Sequence, residues 1–116
     1  MVRDGEFVVV SVDDALLRTV APEATVVEDE GITAVLRRSE ADALGLAYDY
    51  VAAWITLSIH TSLHAVGLTA AFAAALAAAG ISCNVLAGLH HDHLLVPIGE
   101  RNAAVEILRA VSVGAR

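Results

Sequence analysis

The pattern of apolar and polar residues predicts a strand and a hairpin in the first third of the chain. Phe7 to Val12 is a run of β-branched and apolar residues, as in a strand. Ala24 to Glu28 and Ile32 to Arg37 flank the acidic and glycine residues at 29–31, which predicts a hairpin with glycine at its turn. Residues 13–20 fit either a short helix or a loop.

Helix signals follow each set of strands. Ser39 has an acidic residue three positions later, Asp42, so we expect it to cap a short helix that Gly45 ends. The predicted elements of the second half are a strand from Trp54 to His60, a helix from Val66 to Ala79 that Gly80 ends, strands from Ser82 to Ala87 and from His93 to Ile98, and a helix from Arg101 to Val111. In the longer of these helices Leu68, Phe72 and Leu76 share one face, and in the last one Ala104, Leu108 and Val111 do.

The order of elements therefore occurs twice, in residues 1–50 and in residues 51–116. Strand, helix, hairpin, helix is the ferredoxin-like pattern of the α+β class, in which helices cover one face of an antiparallel sheet. Each half lacks a final strand, and an open sheet edge promotes aggregation. We expect the two halves to complete each other as one compact globule, with the strand at Phe7 to Val12 pairing into the second half.

Composition narrows the classes of function. The 116 residues carry a net charge of −7, which disfavours nucleic acid as a partner and suits a cationic or zwitterionic small molecule. A single cysteine and acidic residues near the N-terminus, without the pattern of a signal peptide, predict a cytoplasmic protein.

One stretch imitates a membrane span, because residues 51–91 contain no Asp, Glu, Lys or Arg. The predicted helix at Val66 to Ala79 would be only about 21 Å long, however, against a hydrocarbon core of about 30 Å. We therefore expect a buried helix and no membrane partner.

The residues Trp54 to Pro97, "WITLSIHTSLHAVGLTAAFAAALAAAGISCNVLAGLHHDHLLVP", closely resemble bacterial proteins built as a tandem pair of ACT domains, and the resemblance extends from about Phe7 to Leu108. The chain is also similar to the ACT units of aspartate kinases and of the CASTOR arginine sensors. In those proteins a glycine ends the loop before the first helix and an aspartate precedes the third strand, and here these positions are Gly67 and Asp92. The resemblance implies a regulatory module that binds an amino acid. We expect this chain to depart from the usual arrangement of the family in having no enzyme domain attached.

The resemblance also implies a ligand site in the second half. It places Val66, Gly67, Leu68 and Thr69 at the backbone end of the ligand, Gly88 and Leu89 along its wall, and Asp92 beside its amino or guanidinium group. From the residues alone, the unpaired N–H groups and positive end of a helix suit a carboxylate, and Thr61 or Ser62 is placed to cap or donate. An ordinary capped loop and a solvated turn aspartate fit the same residues.

Neighbouring polar residues allow other interpretations. Asn84 can donate its amide to a ligand or to backbone, and Cys83, His60 and His64 fit structural roles. His90, His91 and His93 could ligate a metal with Asp92, but on an extended strand His91 and His93 point away from Asp92, and structural zinc sites draw on separated elements. We expect no metal and no cofactor.

No Ser-His-Asp order, phosphate loop or carboxylate pair with catalytic spacing occurs, so we expect no enzyme. The alternatives to an amino-acid sensor are a module that only mediates protein contacts, dimerising through its sheet, and a metal-binding protein that uses the histidines. We expect the partner to be a second copy of the chain or a regulated protein.

Overall fold

The computed structural model describes residues 1–57 and 68–114, and the side chains of residues 1–57 and 69–111. The strands are β1 (Phe7–Val12), β2 (Ala24–Glu28), β3 (Gly31–Arg37), β4 (Val51–Thr56), β5 (Asn84–Ala87) and β6 (Asp92–Pro97). The helices are α1 (Asp14–Leu17), α2 (Arg38–Ala43), α3 (Leu68–Ala78) and α4 (Arg101–Gly114), and a 3-10 turn at Ile98–Glu100 precedes α4. Contacts divide the chain into an N-terminal unit, Gly5–Ala52, and a C-terminal unit, Met1–Asp4 with Ala53–Arg116.

The N-terminal unit is built on antiparallel strands in the order β2-β3-β1. The predicted hairpin is confirmed, and Gly31 at its turn has a φ of +145°. On the other side of β1, Phe7 pairs with Ala52 and Val8 with Val51. The first strand therefore also pairs with Val51 and Ala52, which belong to the same unit.

The core of the N-terminal unit follows the period-two alternation of its strands. Val8, Val10 and Val12 of β1 are buried on one face, beside Ala34 and Leu36 of β3. Ala41 of α2 is fully buried against them, and Leu16 and Leu17 of α1 pack at the margin. The ambiguous segment after β1 is thus a short helix, which begins because the Asp13 carboxylate accepts a hydrogen bond from the Leu16 amide at 2.7 Å.

The C-terminal unit has strands in the order β4-β6-β5, with β5 and β6 antiparallel. The first residues of the chain lie beside β4: Val2 forms a bridge with Ile55, and the Arg3 amide donates to the Trp54 carbonyl at 2.9 Å. The Thr56 amide donates to the Met1 carbonyl at 2.7 Å. An extended segment from the start of the chain therefore pairs with β4.

The C-terminal core lies under α3 and α4. Ala53, Ile55 and Leu57 alternate along β4 and just beyond it, and together with residues of β6 and the helices they form one buried cluster. The members from β6 and the helices are Leu94, Val96, Phe72, Leu76, Ala104 and Leu108. The predicted buried stripe is confirmed at Phe72 and Leu76, while the side chain of Leu68 lies outside the described residues.

Several predicted boundaries were wrong. Ser39 does not cap α2, because β3 runs directly into the helix and Arg37 occupies the N-cap position without a side-chain bond. β4 begins at Val51, three residues before the predicted start, and β5 begins at Asn84, two residues after it. Asp92 is the first residue of β6, paired with Ala87, and does not sit at the tip of the hairpin.

The glycine stops are confirmed at both predicted helix ends, with φ values of +66° at Gly45 and +74° at Gly80. Among the described residues, none of the helices has the length and apolar character needed to cross a bilayer.

Candidate functional site

The side chain of Thr69 connects α3 to the start of β6. Its Oγ1 donates a hydrogen bond to Oδ2 of Asp92 at 3.0 Å. Thr69 lies three residues before Phe72 and seven before Leu76, so it continues the buried stripe of α3 toward the sheet. Both Thr69 and Asp92 are half-buried. The structure thus brings together two of the residues that the sequence assigned to a ligand site.

The orientation of Asp92 follows from the alternation of β6. Asp92 shares a face with Leu94 and Val96, which belong to the core under the helices. The carboxylate therefore lies on the helix-covered side of the sheet, beside the first described turn of α3.

His93 faces the other side of the sheet and belongs to a separate cluster. Its Nδ1 is 2.9 Å from Oγ1 of Thr56, and its ring centroid is 5.3 Å from that of Trp54. The Trp54 indole N–H donates to the same Thr56 oxygen at 3.2 Å, and the Arg3 guanidinium lies 4.9 Å from the Trp54 ring centroid. His93 therefore does not converge with Asp92.

Burial lowers the pKa of the His93 imidazole, and its electrostatic interactions with His91 and Arg3 lower it further, while Asp92 opposes them. The folded protein thus favours neutral His93. The preference for neutral His93 stabilises the folded protein at pH values above the pKa of this imidazole in the unfolded chain, about 6.5. This stabilisation is lost as the pH falls toward the lower pKa that the imidazole has in the folded protein.

We therefore expect the unfolding free energy to fall between pH 7.5 and pH 5, and His93→Gln to make that dependence shallower. Urea denaturation at several pH values measures it. Leu89→Gln is the matched control, since it alters an exposed side chain of the same hairpin without removing a titratable group. Identical pH slopes for the native protein and His93→Gln would contradict the assignment.

The other described residues of the predicted ligand site, Asn84, Gly88 and Leu89, lie in the hairpin of β5 and β6. The Gly88 amide donates to the His91 carbonyl at 3.0 Å, and a Cβ at Gly88 would lie 2.8 Å from that same oxygen. Glycine is therefore required by the tight turn itself. Leu89 is 69% exposed, and Asn84 is exposed at the start of β5. Among the described hydrogen bonds, none joins Leu89 or Asn84 to Thr69 or Asp92.

Other sequence candidates lie outside the described residues. They are Ser62, Val66 and Gly67 of the predicted ligand site, with Thr61, His60 and His64 nearby. Leu68 is described only as the first residue of α3. Of the four residues predicted at the backbone end of the site, Thr69 is therefore the one whose side chain is described.

The described residues do not support the alternative of a metal site. Within residues 1–57 and 68–114, no three His, Cys, Asp or Glu side chains are grouped to hold an ion. His90 and His91 are exposed, while His93 contacts Thr56. Cys83 packs at the edge of the C-terminal core, where burial raises the pKa of its thiol, so it is less nucleophilic than an exposed thiol.

The cluster of Arg3, Trp54, Thr56 and His93 was not predicted from the sequence. A signal was present within β4, because Trp54 and Thr56 alternate with Ala53 and Ile55 and so share the face opposite the core. No local pattern linked them to His93 or Arg3, which lie far away along the chain.

Comparison with known proteins agrees with this architecture. Two ACT-domain family models match the chain, one over residues 1–53 and the other over residues 50–110. No curated protein matches it. A solved structure from Vibrio cholerae, a protein of unknown function described as a possible transport protein, is 41% identical, with 93% of this chain and 84% of that one covered and a TM-score of 0.88.

Two more distant structures share the fold. Aspartokinase alpha and beta subunits are 12% identical, with 91% of this chain and 90% of theirs covered and a TM-score of 0.64. The regulatory subunit of aspartate kinase from Thermus flavus is 12% identical, with 96% and 95% covered and a TM-score of 0.54. With both halves matched by ACT models and the ferredoxin-like α+β arrangement described, the chain belongs to the ACT-domain family and carries two ACT domains in tandem.

Proposed function

We propose that this protein is a regulatory module without catalytic activity, and that its C-terminal unit binds an amino acid beside Thr69 and Asp92. The hydrogen bond between Thr69 and Asp92 carries the proposal, because it holds a carboxylate next to the start of the described α3. An amino acid has one anionic and one cationic end. The positive end of a helix suits its carboxylate, and Asp92 suits its ammonium group.

The N-terminal unit offers a contrast that favours the C-terminal one. There, Asp13 already occupies the start of α1 by accepting from the Leu16 amide, and Asp14 follows it in the first turn. These two acids would repel a ligand carboxylate. In the second half, the sequence between β4 and α3, residues 57–67, contains no acidic residue.

The relatives support the regulatory part of the proposal. One of the solved structures that share the fold is the regulatory subunit of an aspartate kinase. By analogy, the bound amino acid would change the contacts that this protein makes with a partner or with a second copy. The regulatory role is therefore proposed by analogy with proteins of the same fold, and the amino-acid ligand is proposed from the charges around Thr69 and Asp92.

A thermal-shift screen of the proteinogenic amino acids tests the proposal. We expect one of them, at about 100 times its dissociation constant, to add about 2.7 kcal/mol to the unfolding free energy. The decarboxylated amine and the N-acetylated form of that amino acid are matched controls, each lacking one charged end, and each should stabilise the protein less. Absence of stabilisation by any of the amino acids would contradict the proposal.

A second candidate, a module that only mediates protein contacts, is favoured by β2. This strand pairs with β3 alone among the described strands, and Val26 and Val27 on it are 49% and 82% exposed. An unprotected edge strand can pair with another chain. Concentration-dependent self-association by sedimentation, together with no response to any amino acid, would support this candidate.

A further inference from the structure

A groove of about 410 Å³ lies in the C-terminal unit, lined by the start of the chain and by one face of α4. Its volume is within the roughly 300–1,000 Å³ range of small-molecule sites. Among its lining residues are the arginines Arg3, Arg101 and Arg109. Lys and Arg together number only seven in a chain of net charge −7, so this groove collects a large share of the positive charge.

The sequence of α4 builds the groove wall. Arg101, Val105 and Arg109 follow one another at intervals of four residues and therefore lie along one face of the helix. Val105 packs against the C-terminal core, as does Val2 from the start of the chain, and both line the groove. The result is an apolar floor with guanidinium groups beside it.

The N-terminal unit has a groove of similar size, about 410 Å³, in which the arginines are neutralised within the chain. Arg38, the first residue of α2, forms a salt bridge with Glu6 at 2.7 Å and with Asp42 at 3.8 Å. Its Nε also donates to the Tyr48 hydroxyl at 2.8 Å. A ligand anion would have to compete with two carboxylates there.

Arg101 is likewise the first residue of its helix, but its surroundings differ. Four residues after Arg38 the helix carries Asp42, which pairs with it, whereas four residues after Arg101 the helix carries the apolar Val105. Within the described part of the chain, the Arg101 guanidinium has no hydrogen bond or salt bridge to another side chain. Two acids, Asp4 and Glu106, also line the groove, and Glu106 lies 3.8 Å from Arg109 in an exposed pair. Arg101 therefore retains its capacity to bind an external anion.

We propose that this groove binds a small anionic molecule through a phosphate or carboxylate group held by Arg101, with the apolar part of the molecule against Val2 and Val105. The guanidinium offers a planar pair of N–H donors that matches either group. The site is separate from that of the proposed amino acid, since none of its lining residues belongs to α3, β5 or β6.

Titration calorimetry with inorganic pyrophosphate and with succinate, at constant ionic strength, tests the proposal on the full chain. We expect one of the two anions to bind, and Arg101→Gln to weaken that binding by about tenfold or more through loss of a charge-assisted hydrogen bond. Arg18→Gln is the matched control, because Arg18 is an exposed arginine on the other unit. It should leave the affinity unchanged.

The two probes also distinguish the ligand classes. Tighter binding of pyrophosphate identifies a phosphate ligand, and tighter binding of succinate identifies a carboxylate ligand. The proposal is overturned if neither anion gives heat beyond that of sodium chloride at the same ionic strength, or if Arg101→Gln and Arg18→Gln change the affinity equally. Unfolding midpoints of both variants verify that each remains folded.

Discussion

Replacing Phe72 with alanine is expected to lower the unfolding free energy by about 3–5 kcal/mol. Phe72 is 1% exposed and packs in the C-terminal core with Leu76 of the same helix and with strand residues beneath it. Alanine would remove the ring and leave a cavity that the surrounding side chains fill only in part. Urea denaturation followed by circular dichroism measures the loss.

The matched control is Val27→Ala, which shortens an apolar side chain that is 82% exposed. Its effect should stay within about 0.5 kcal/mol, as for other surface substitutions. Equal effects of the two variants would mean that α3 is not packed on the sheet. The position of Thr69, one turn before Phe72 in the helix, would then lose its structural basis.

Asp92→Asn is expected to weaken amino-acid binding by about ten- to a hundredfold, equivalent to roughly 1.5–3 kcal/mol. The substitution keeps the size and a carbonyl oxygen that can still accept from Thr69 Oγ1, but it removes the charge that would pair with the ligand ammonium group. Because Asp92 is only half-buried, folding should survive. Titration calorimetry with the amino acid that stabilises the native protein measures the change.

Asp29→Asn is the matched control for this variant. Asp29 lies exposed at the turn between β2 and β3, and its substitution changes the net charge of the protein by the same amount. It should leave the affinity unaltered, which separates a local contact from a general electrostatic effect. Unchanged affinity in Asp92→Asn would remove Asp92 from the site.

Most of the elements were predictable because local patterns determine them. The alternation in β1 and β3, the stripe of Phe72 and Leu76, and the glycine at position 80 each act over a few residues. The start of β4 was missed because Val51 is followed by two alanines, which have little strand propensity of their own. The cap of α2 was predicted wrongly because β3 leads into the helix without the loop that a Ser39 cap would need.

Contacts between residues far apart in the sequence could not be predicted from local patterns. The family resemblance placed Thr69 and Asp92 at the two ends of one ligand site but did not predict their direct hydrogen bond. The periodicities agree with that contact, since each residue continues a buried stripe of its own element. The pairing of Met1 and Arg3 with β4 and the packing of His93 on Trp54 had no such guide. They depend on which strands become neighbours in the folded sheet.

The central claim is that an amino acid binds beside Thr69 and Asp92. Its most direct test is a titration of the ¹⁵N-labelled protein with a pool of proteinogenic amino acids, followed through backbone amide chemical shifts. The account predicts saturable shifts at Thr69 and Asp92, with the amide of Asp29 in the other unit unchanged. Saturable shifts confined to residues away from α3 and the start of β6, or no shifts at all, would contradict it.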